Sequence, residues 1–247
     1  MHSRFELFIP QKESEHLLNL FEKVTNRISE LENKISRFIE TSDTSRLNTQ
    51  AFLKPVTVDH EFFLIVDKCL EYNRRTNGYF NIDSSGTKNG LVLEPVNSTI
   101  SFGSEKVNID FGAIGKGLGI EIAIELIQNH GIQNALINFG DSSIYAIGSH
   151  PLNQFWPVSV SNQHHKINLE LSDNGFSSSG LHDDGETKIA HIINPVTNEI
   201  VFKHEKVVVV SKSPLTAEVL STAIYAADEK SRKEIEKEFP NEKILII

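Results

Sequence analysis

Two helices are predicted in the first third of the chain, where apolar residues recur every three or four positions. The first pattern runs from Leu17 to Ile35 and describes one long helix with a single apolar stripe. The second covers about Asp59 to Arg75 and ends at Asn77-Gly78, a pair typical of a helix C-cap. The polar segment between them, residues 36–48, is predicted to be a loop. Both apolar stripes are interpreted as core.

Short alternating patterns dominate the rest of the chain and predict strands. They lie at 4–9, 107–111, 134–139, 144–149, 156–161, 167–171, 176–179, 188–193, 207–210 and 243–247, with a loop and short hairpin at 84–99. Further helices are predicted at 117–129 and after Ser213-Pro214, where serine is the N-cap and proline occupies the first turn. Because strands outnumber helices and cluster after them, a mostly antiparallel α+β fold is favoured over a doubly wound sheet. The chain is treated as one domain, 1–247.

Composition narrows the function classes. The net charge is −9 and no basic tract offsets it, which argues against sequence-independent nucleic-acid binding. The single cysteine, Cys69, cannot form an intrachain disulfide and is predicted to be a core thiol. No apolar run approaches the roughly 20 residues that span a bilayer, and the N-terminus has no signal core. The chain as given is therefore expected in the cytoplasm, or exported if its N-terminus was trimmed.

The segment 107–126 carries the first candidate chemistry. Asp110 and Lys116 flank a turn of small residues, which lets a ligand approach the backbone, and the lysine lies near a helix N-terminus that favours an anion. Phosphate binding is the first hypothesis, although neither the Walker loop nor the dinucleotide fingerprint matches the spacing. The alternative is a tight strand-to-helix connection whose glycines serve only packing.

Two later segments add candidate groups. His191 lies between apolar strand residues and an Asn-Pro turn, where a histidine is either a structural residue or a reacting one. Glu218 and Thr222 are four apart on a predicted helix, so a carboxylate and a hydroxyl share one face and could bind a hard divalent cation. A surface glutamate beside a helix threonine is the simpler alternative. The pairs His164-His165 and Asp183-Asp184 lack metal-site spacing and are predicted to be solvated.

In their order along the chain, these segments resemble the ApbE family of FAD:protein FMN transferases. Gly78 to Asn81 is similar to its G-x-F-D motif, and Asp110 to Gly117 to D-L-G-[GA]-I-A-K-G. The matches continue with Met1 to Leu7, Ser36 to Asn48, Ala135 to Ile144, Ser179-Gly180 with His191 to Pro195, and Ala217 to Ala223. These motifs, in the right order, make the resemblance fairly specific over nearly the whole chain.

The resemblance implies an α+β fold of mostly antiparallel sheets with packed helices, in two closely joined lobes with FAD and Mg²⁺ bound between them. The metal would be held by the Ala113 carbonyl and the side chains of Glu218 and Thr222. The flavin nucleotide would be contacted by Tyr79, Phe80, Asn81, Asp110, Lys116 and His191, with His191 also the catalytic base. The reaction would move the FMN moiety of FAD onto a threonine or serine hydroxyl of a partner flavoprotein and release AMP.

The chain departs from the family pattern at four positions and in one length. Asn81, Glu121 and Glu218 stand where aspartate is usual, Asp141 replaces a glycine, and the stretch 81–108 is short. Two alternatives to transfer therefore stay open: hydrolysis of FAD to FMN and AMP, and flavin binding without turnover. The acceptor protein, the choice between Mg²⁺ and Mn²⁺ and the oligomeric state are not indicated by the sequence.

Overall fold

The computed structural model describes residues 3–12, 14–87, 90–162, 164–183, 188–190 and 192–247, with 182–183 and 188–189 described by their backbone alone. In chain order the elements are β1 (Phe5–Phe8), α1 (Glu15–Ile35), α2 (Asp43–Gln50), β2 (Val56–Thr57), α3 (His60–Arg75), β3 (Leu91–Glu94), β4 (Thr99–Phe102), α4 (Gly115–Asn129), β5 (Ala135–Phe139), β6 (Ser143–Ile147), β7 (Trp156–Ser161), β8 (Lys166–Leu171), β9 (Asn174–Ser179), β10 (His182–Asp183), β11 (Lys188–Ile189), β12 (Ile193–Asn194), β13 (Glu199–Ile200), β14 (Val207–Ser211), α5 (Pro214–Ala226), α6 (Glu229–Glu238) and β15 (Lys243–Ile246).

The centre of the fold is an antiparallel six-stranded sheet in the order β1-β5-β6-β9-β14-β15. Side chains of a strand alternate between its two faces, and β14 shows the result. Val207 and Val209 join the core on the helix side with α5, whereas Val208 packs with Trp156 and Leu171 of the β7–β8 hairpin on the opposite face. The sheet is thus buried on both faces between helices and a hairpin.

A smaller three-stranded sheet, β2-β4-β3, lies beside α2 and α3. Its residue Ile100 belongs to the same hydrophobic cluster as Phe62 of α3, Phe111 and Leu220 of α5. One continuous core therefore connects the smaller sheet to the helices of the central sheet. In the part of the chain that the structure describes, no helix is long and apolar enough to cross a membrane.

The close approach of α4 to α5 depends on Gly117. A Cβ atom at this position would lie 2.9 Å from the Leu215 Cα atom and 3.0 Å from the Pro214 carbonyl oxygen. Real Cβ atoms essentially never come within 3.0 Å of such backbone atoms. The glycine therefore allows the N-termini of the two helices to touch, and this contact positions the site described below.

The α+β class and most predicted elements are confirmed, including α1, α3, α5 and the β7 strand. The predicted loop at 36–48 is wrong in part, because it contains the start of α2, which Ser42 caps through the Ser45 N–H. Helix α2 buries only Thr44 and Leu47 and so carries no apolar stripe in its sequence. Helix α6, which was not predicted, is likewise highly charged and buries only Ile235.

Two strand predictions are corrected. Residues 107–111 form a single bridge, Asp83 to Ile109, because the side chain of Asn48 takes the place of a partner strand. Its amide donates to the Ile109 carbonyl at 3.0 Å and accepts from the Ile109 N–H at 2.7 Å. Residues 188–193 do not extend the central sheet either, since β11 pairs with β10, and β12 pairs with β13.

Candidate active site

A polar cavity of about 770 Å³ lies where the N-termini of α4 and α5 meet the ends of β6 and β9. Most of the residues predicted to bind a cofactor or metal contribute to its wall, although they are spread over more than 140 positions of sequence. These are Tyr79, Phe80, Asn81, Asp110, Ala113, Lys116, Glu218 and Thr222. The ninth predicted residue, His191, lies outside the described residues. The fold thus gathers the remaining eight into one space.

Glu218 is a buried charged group of this wall, with 2% of its side chain exposed. Its Oε2 atom accepts the Gly117 N–H at 3.0 Å, so a carboxylate from α5 caps the start of α4. Its Oε1 atom lies 2.9 Å from the Lys116 ammonium and accepts from the Ser143 hydroxyl at 2.5 Å. A buried carboxylate needs such donors and a counter-charge. The alternative of an exposed surface glutamate is therefore excluded.

Asp110 stands on the turn before α4 in a more open setting. Its Oδ1 atom accepts the Gly112 N–H at 2.8 Å, and its Oδ2 atom lies 3.1 Å from the Arg37 Nε atom. Arg37 in turn lies over the ring of the exposed Phe38. The carboxylate of Asp110 is thus held in one orientation by the backbone and by an arginine that the sequence analysis did not single out.

Buried serine hydroxyls lie under the floor of the cavity. Ser177 and Ser179 are two apart on β9, so both face α5 and approach Ser221 at 3.2 and 2.9 Å. Ser179 also lies 3.4 Å from the Thr222 hydroxyl, and Ser177 lies 3.4 Å from the Glu218 Oε1 atom. These hydroxyls connect the two side chains predicted to hold a metal. The alternation of Ser177 and Ser179 along the strand was the available signal in the sequence.

The segment 79–83 forms one wall more through its backbone and rings than through free polar groups. The Tyr79 hydroxyl donates to Asp228 at 2.9 Å, and the Phe80 ring is buried edge-on against Tyr72. The Asn81 side-chain oxygen accepts the Asp83 N–H at 3.0 Å, which closes a local turn. Among these residues, the geometry supports a structural role for the Tyr79 hydroxyl and a packing role for Phe80.

The described lining residues carry four carboxylates, Asp83, Asp110, Asp141 and Glu218, against two ammonium groups, Lys116 and Lys206. An anionic ligand in this cavity would thus need an additional cation. The described part of the chain holds no group of three or more His, Cys, Asp or Glu that could bind a metal. The available set is of hard oxygen atoms, the type that Mg²⁺ prefers: Glu218, Thr222 and the Ala113 carbonyl.

Two oxygen atoms of this set have unused acceptor capacity. Each carboxylate oxygen can accept about two hydrogen bonds, and within the described residues the Glu218 Oε2 atom accepts one, from Gly117. No backbone N–H from the described part of the chain donates to the Ala113 carbonyl oxygen, because Gly117 donates to Glu218 instead of to this carbonyl. Both oxygen atoms therefore keep a free acceptor direction.

Two other residues named from the sequence lie away from the cavity. Glu121 accepts from the Ser213 hydroxyl at 3.2 Å and lines a separate apolar groove between α3, α4 and α5. Cys69 is buried in the core as predicted, and burial raises the pKa of its thiol far above the ordinary value. A thiol held in its protonated form is a poor nucleophile. Neither residue takes part in the candidate site.

The fold and the cavity together define an α+β ligand-binding protein whose site pairs a buried carboxylate with a lysine at a helix N-terminus. Comparison with known proteins identifies its family. The family model of the ApbE family matches residues 1–89 and 85–246. The chain belongs to the ApbE family, and the resemblance noted in the sequence is confirmed.

Two curated relatives are both named FAD:protein FMN transferase. The FAD:protein FMN transferase of Vibrio cholerae is 21% identical, with 84% of this chain and 73% of that protein covered. The FAD:protein FMN transferase of Buchnera aphidicola is 22% identical, with 88% and 75% covered. Among solved structures, the flavin transferase ApbE from Vibrio cholerae superposes with a TM-score of 0.84 at 19% identity, covering 100% of this chain and 90% of that one. This superposition confirms the predicted fold.

Proposed function

We propose that this protein transfers the FMN moiety of FAD onto a threonine or serine hydroxyl of a partner flavoprotein and releases AMP, with the help of a divalent cation. The observation that carries the proposal is the cavity itself. It brings eight residues of three separate sequence motifs into contact with one space. Its volume of about 770 Å³ is within the range that holds a substantial organic ligand. The names of the relatives indicate which ligand and which reaction.

Lys116 is the group suited to the diphosphate of FAD. Its ammonium attracts an anion, whereas the N-terminus of α4 is already capped by the Glu218 carboxylate through the Gly117 N–H. Lys116 is 22% exposed and lines the cavity, so it can reach a ligand while it remains close to Glu218. Asp110, held by Arg37 and the Gly112 N–H, lies beside the same turn and can orient the nucleotide through hydrogen bonds.

The cation would be held by Glu218, Thr222 and the Ala113 carbonyl. When bound, Mg²⁺ would neutralise charge on the diphosphate and make its phosphorus easier to attack. It would also offset the excess of carboxylates in the cavity. Because Glu218 is longer than the aspartate usual in the family, its carboxylate reaches further across the space between α5 and α4. In this chain that reach is used to cap α4 through the Gly117 N–H.

In the proposed transfer step, one bond forms and one breaks at the same phosphorus. The acceptor hydroxyl oxygen forms a bond to the phosphorus of the FMN moiety, the bond from that phosphorus to the bridging oxygen breaks, and AMP leaves with this oxygen. The hydroxyl proton goes to a base, for which the resemblance suggests His191. The contribution of the described residues is to bind and orient the two phosphates in line with the acceptor.

The decisive experiment incubates the purified protein with FAD and Mg²⁺, with and without an acceptor protein that presents a threonine. AMP release and covalent flavin on the acceptor are both measured. The proposal expects covalent flavin in equal amount to AMP, and loss of both in Lys116→Met and Thr222→Ala. Lys166→Met, on β8 and away from the cavity, is the matched control and should keep full activity.

The same experiment separates the alternatives. AMP that appears without covalent flavin, at the same rate with and without acceptor, would replace transfer by hydrolysis of FAD. A yellow protein that releases no AMP with any acceptor would show flavin binding without turnover. In that case, Glu218→Asp tests whether the longer side chain is the reason.

A further inference from the structure

We propose that Ser179 and Ser221 are positioning residues that aim the lone pairs of the Thr222 hydroxyl into the cavity. This inference rests on the cation role proposed above for Thr222 and Glu218. It concerns hydroxyl groups for which neither the sequence nor the comparisons suggest a role.

The donor and acceptor roles in this group of hydroxyls are set at Ser221. Carbonyl and carboxylate oxygens only accept hydrogen bonds, whereas each serine or threonine hydroxyl donates one. The Ser221 hydroxyl lies 3.1 Å from the Glu218 carbonyl oxygen, one turn earlier on α5, and must be the donor there. Ser221 is fully buried and so has no water to satisfy its proton instead. We assign its proton to the Glu218 carbonyl, so that Ser177, 3.2 Å away, donates to the Ser221 oxygen.

The Ser179 hydroxyl must then direct its proton toward Ser221. Ser179 lies 2.9 Å from the Ser221 oxygen, which has already used its proton and can only accept. Ser179 is therefore the donor in this contact. Its remaining contact within the described residues is with the Thr222 hydroxyl at 3.4 Å, and Ser179 has no second proton to give.

Thr222 is thus the donor in the last and longest contact. Its proton points toward Ser179, away from the cavity that Thr222 lines. The lone pairs of its oxygen are left for the cavity side, where a cation would need them. Glu218 is held by other donors, because Ser143 donates to its Oε1 atom at 2.5 Å and the Gly117 N–H donates to its Oε2 atom at 3.0 Å. The serines therefore leave the Thr222 oxygen as an acceptor on the cavity side, whereas the Glu218 carboxylate is an acceptor by its own charge.

Removal of Ser179 would release the Thr222 proton. A threonine hydroxyl in a helix can then donate to a carbonyl three or four residues earlier, and rotation about χ1 would move its lone pairs. Loss of an outer partner of a metal ligand typically weakens cation affinity by about 10- to 100-fold. The effect should be largest on cation binding and small on the binding of FAD measured without cation.

The test measures Mn²⁺ binding to the full chain by electron paramagnetic resonance, without FAD, in the wild type, Ser179→Ala, Ser221→Ala and Ser179→Thr. We expect both alanine variants to bind Mn²⁺ about 10- to 100-fold more weakly, and Ser179→Thr to retain most of the affinity because it keeps a hydroxyl. Ser211→Ala is the matched control, since Ser211 is a buried serine whose hydroxyl accepts the Ser213 N–H and does not line the cavity. Thermal melting in EDTA verifies that each variant is folded.

A second readout is turnover at high cation concentration. Because weak binding is overcome by mass action, kcat of Ser179→Ala should approach the wild-type value at saturating Mg²⁺, while the Mg²⁺ concentration for half activity rises. Mn²⁺ affinity in the alanine variants equal to the wild type would overturn the serine inference alone. A wild type that binds no Mn²⁺ would overturn the cation role assigned to Glu218 and Thr222 and with it the serine inference, whereas covalent flavin on the acceptor decides the transfer proposal separately.

Discussion

Two pairs of opposite charges border the same cavity, and they differ mainly in their burial. Lys116 and Glu218 are 2.9 Å apart with 22% and 2% of their side chains exposed, and the carboxylate has further donors. Arg37 and Asp110 are 3.1 Å apart, but 39% and 35% exposed. Nearly equal distances therefore do not imply equal interaction energies. Water weakens the attraction between Arg37 and Asp110 and solvates both groups when the pair is broken.

The difference in burial also separates the roles of the two carboxylates. Glu218 is needed by the fold, since it caps α4 and compensates Lys116, and the proposed cation would use a carboxylate that is already fixed. Asp110 is positioned by local contacts at the surface of the cavity, where a ligand can reorganise it at low cost. The variants below test this comparison in order of expected effect.

The largest effect is expected for Glu218→Ala measured without metal. Its removal leaves Lys116, the Gly117 N–H and the Ser143 hydroxyl without their common partner. Loss of one member of a buried pair typically lowers the free energy of unfolding by about 3–5 kcal/mol. Asp110→Ala, the exposed counterpart, should cost at most about 1 kcal/mol. Urea denaturation in EDTA measures both, and equal costs would contradict the comparison.

The second effect is the coupling within each pair, obtained from double-mutant cycles. For Lys116→Met with Glu218→Gln we expect a coupling energy of about 2 kcal/mol, as for contacting residues in one network. For Arg37→Met with Asp110→Asn we expect about 0.2–1 kcal/mol. The free energy of unfolding of each single and double variant gives the result. A larger coupling in the second pair would reverse the assignment of burial as the cause.

A third group of charges, between α1 and α3, extends the comparison to pH. The Lys34 ammonium lies 2.7 Å from both the Asp59 and the Glu61 carboxylates. Burial alone would raise the pKa of each carboxyl, but Lys34, together with the Phe62 N–H at Asp59 and Arg27 at Glu61, outweighs it, so both pKa values lie below their ordinary range. The resulting stability is complete above the ordinary carboxyl pKa of about 4 and is lost as pH falls through the lower folded-state values.

Lys34→Met should therefore reduce stability near pH 7 by less than about 1 kcal/mol, because the three side chains are partly exposed. It should also make stability less dependent on pH in the acid range, where the wild type loses this contribution. Urea denaturation of both proteins from pH 7 downward provides the measurement. An unchanged pH dependence in the variant would show that Lys34 is not the cause of the lowered pKa values.

The smallest expected effect is that of salt. At 1 M NaCl the screening length is about 3 Å, so the coupling of Arg37 with Asp110 should disappear. The coupling of Lys116 with Glu218 should keep most of its size, because salt ions do not reach the buried carboxylate. Repetition of the two cycles in low and high salt measures this directly. Parallel losses in both pairs would mean that the Lys116 pair is as accessible to ions as the exposed one.

Most of the fold follows from local patterns, and its failures have local reasons. Helices α1 and α3 were predictable because their apolar stripes and the N-cap Asp59 coincide. Helices α2 and α6 were missed because each buries only one or two side chains. The strand predicted at 107–111 fails because Asn48, 61 positions away, supplies the hydrogen bonds of a missing partner.

The sequence by itself determined the α+β class and eight residues that line the cavity, because these depend on periodicity and on motifs that are contiguous in the chain. Only the tertiary structure decided that Glu218 is buried, that it caps α4, and that Ser143 and Ser177 contact it from the sheet. Burial and hydrogen-bond direction depend on which distant segments meet. The contact of α4 with α5 at Gly117 sets both, and no local pattern encodes it.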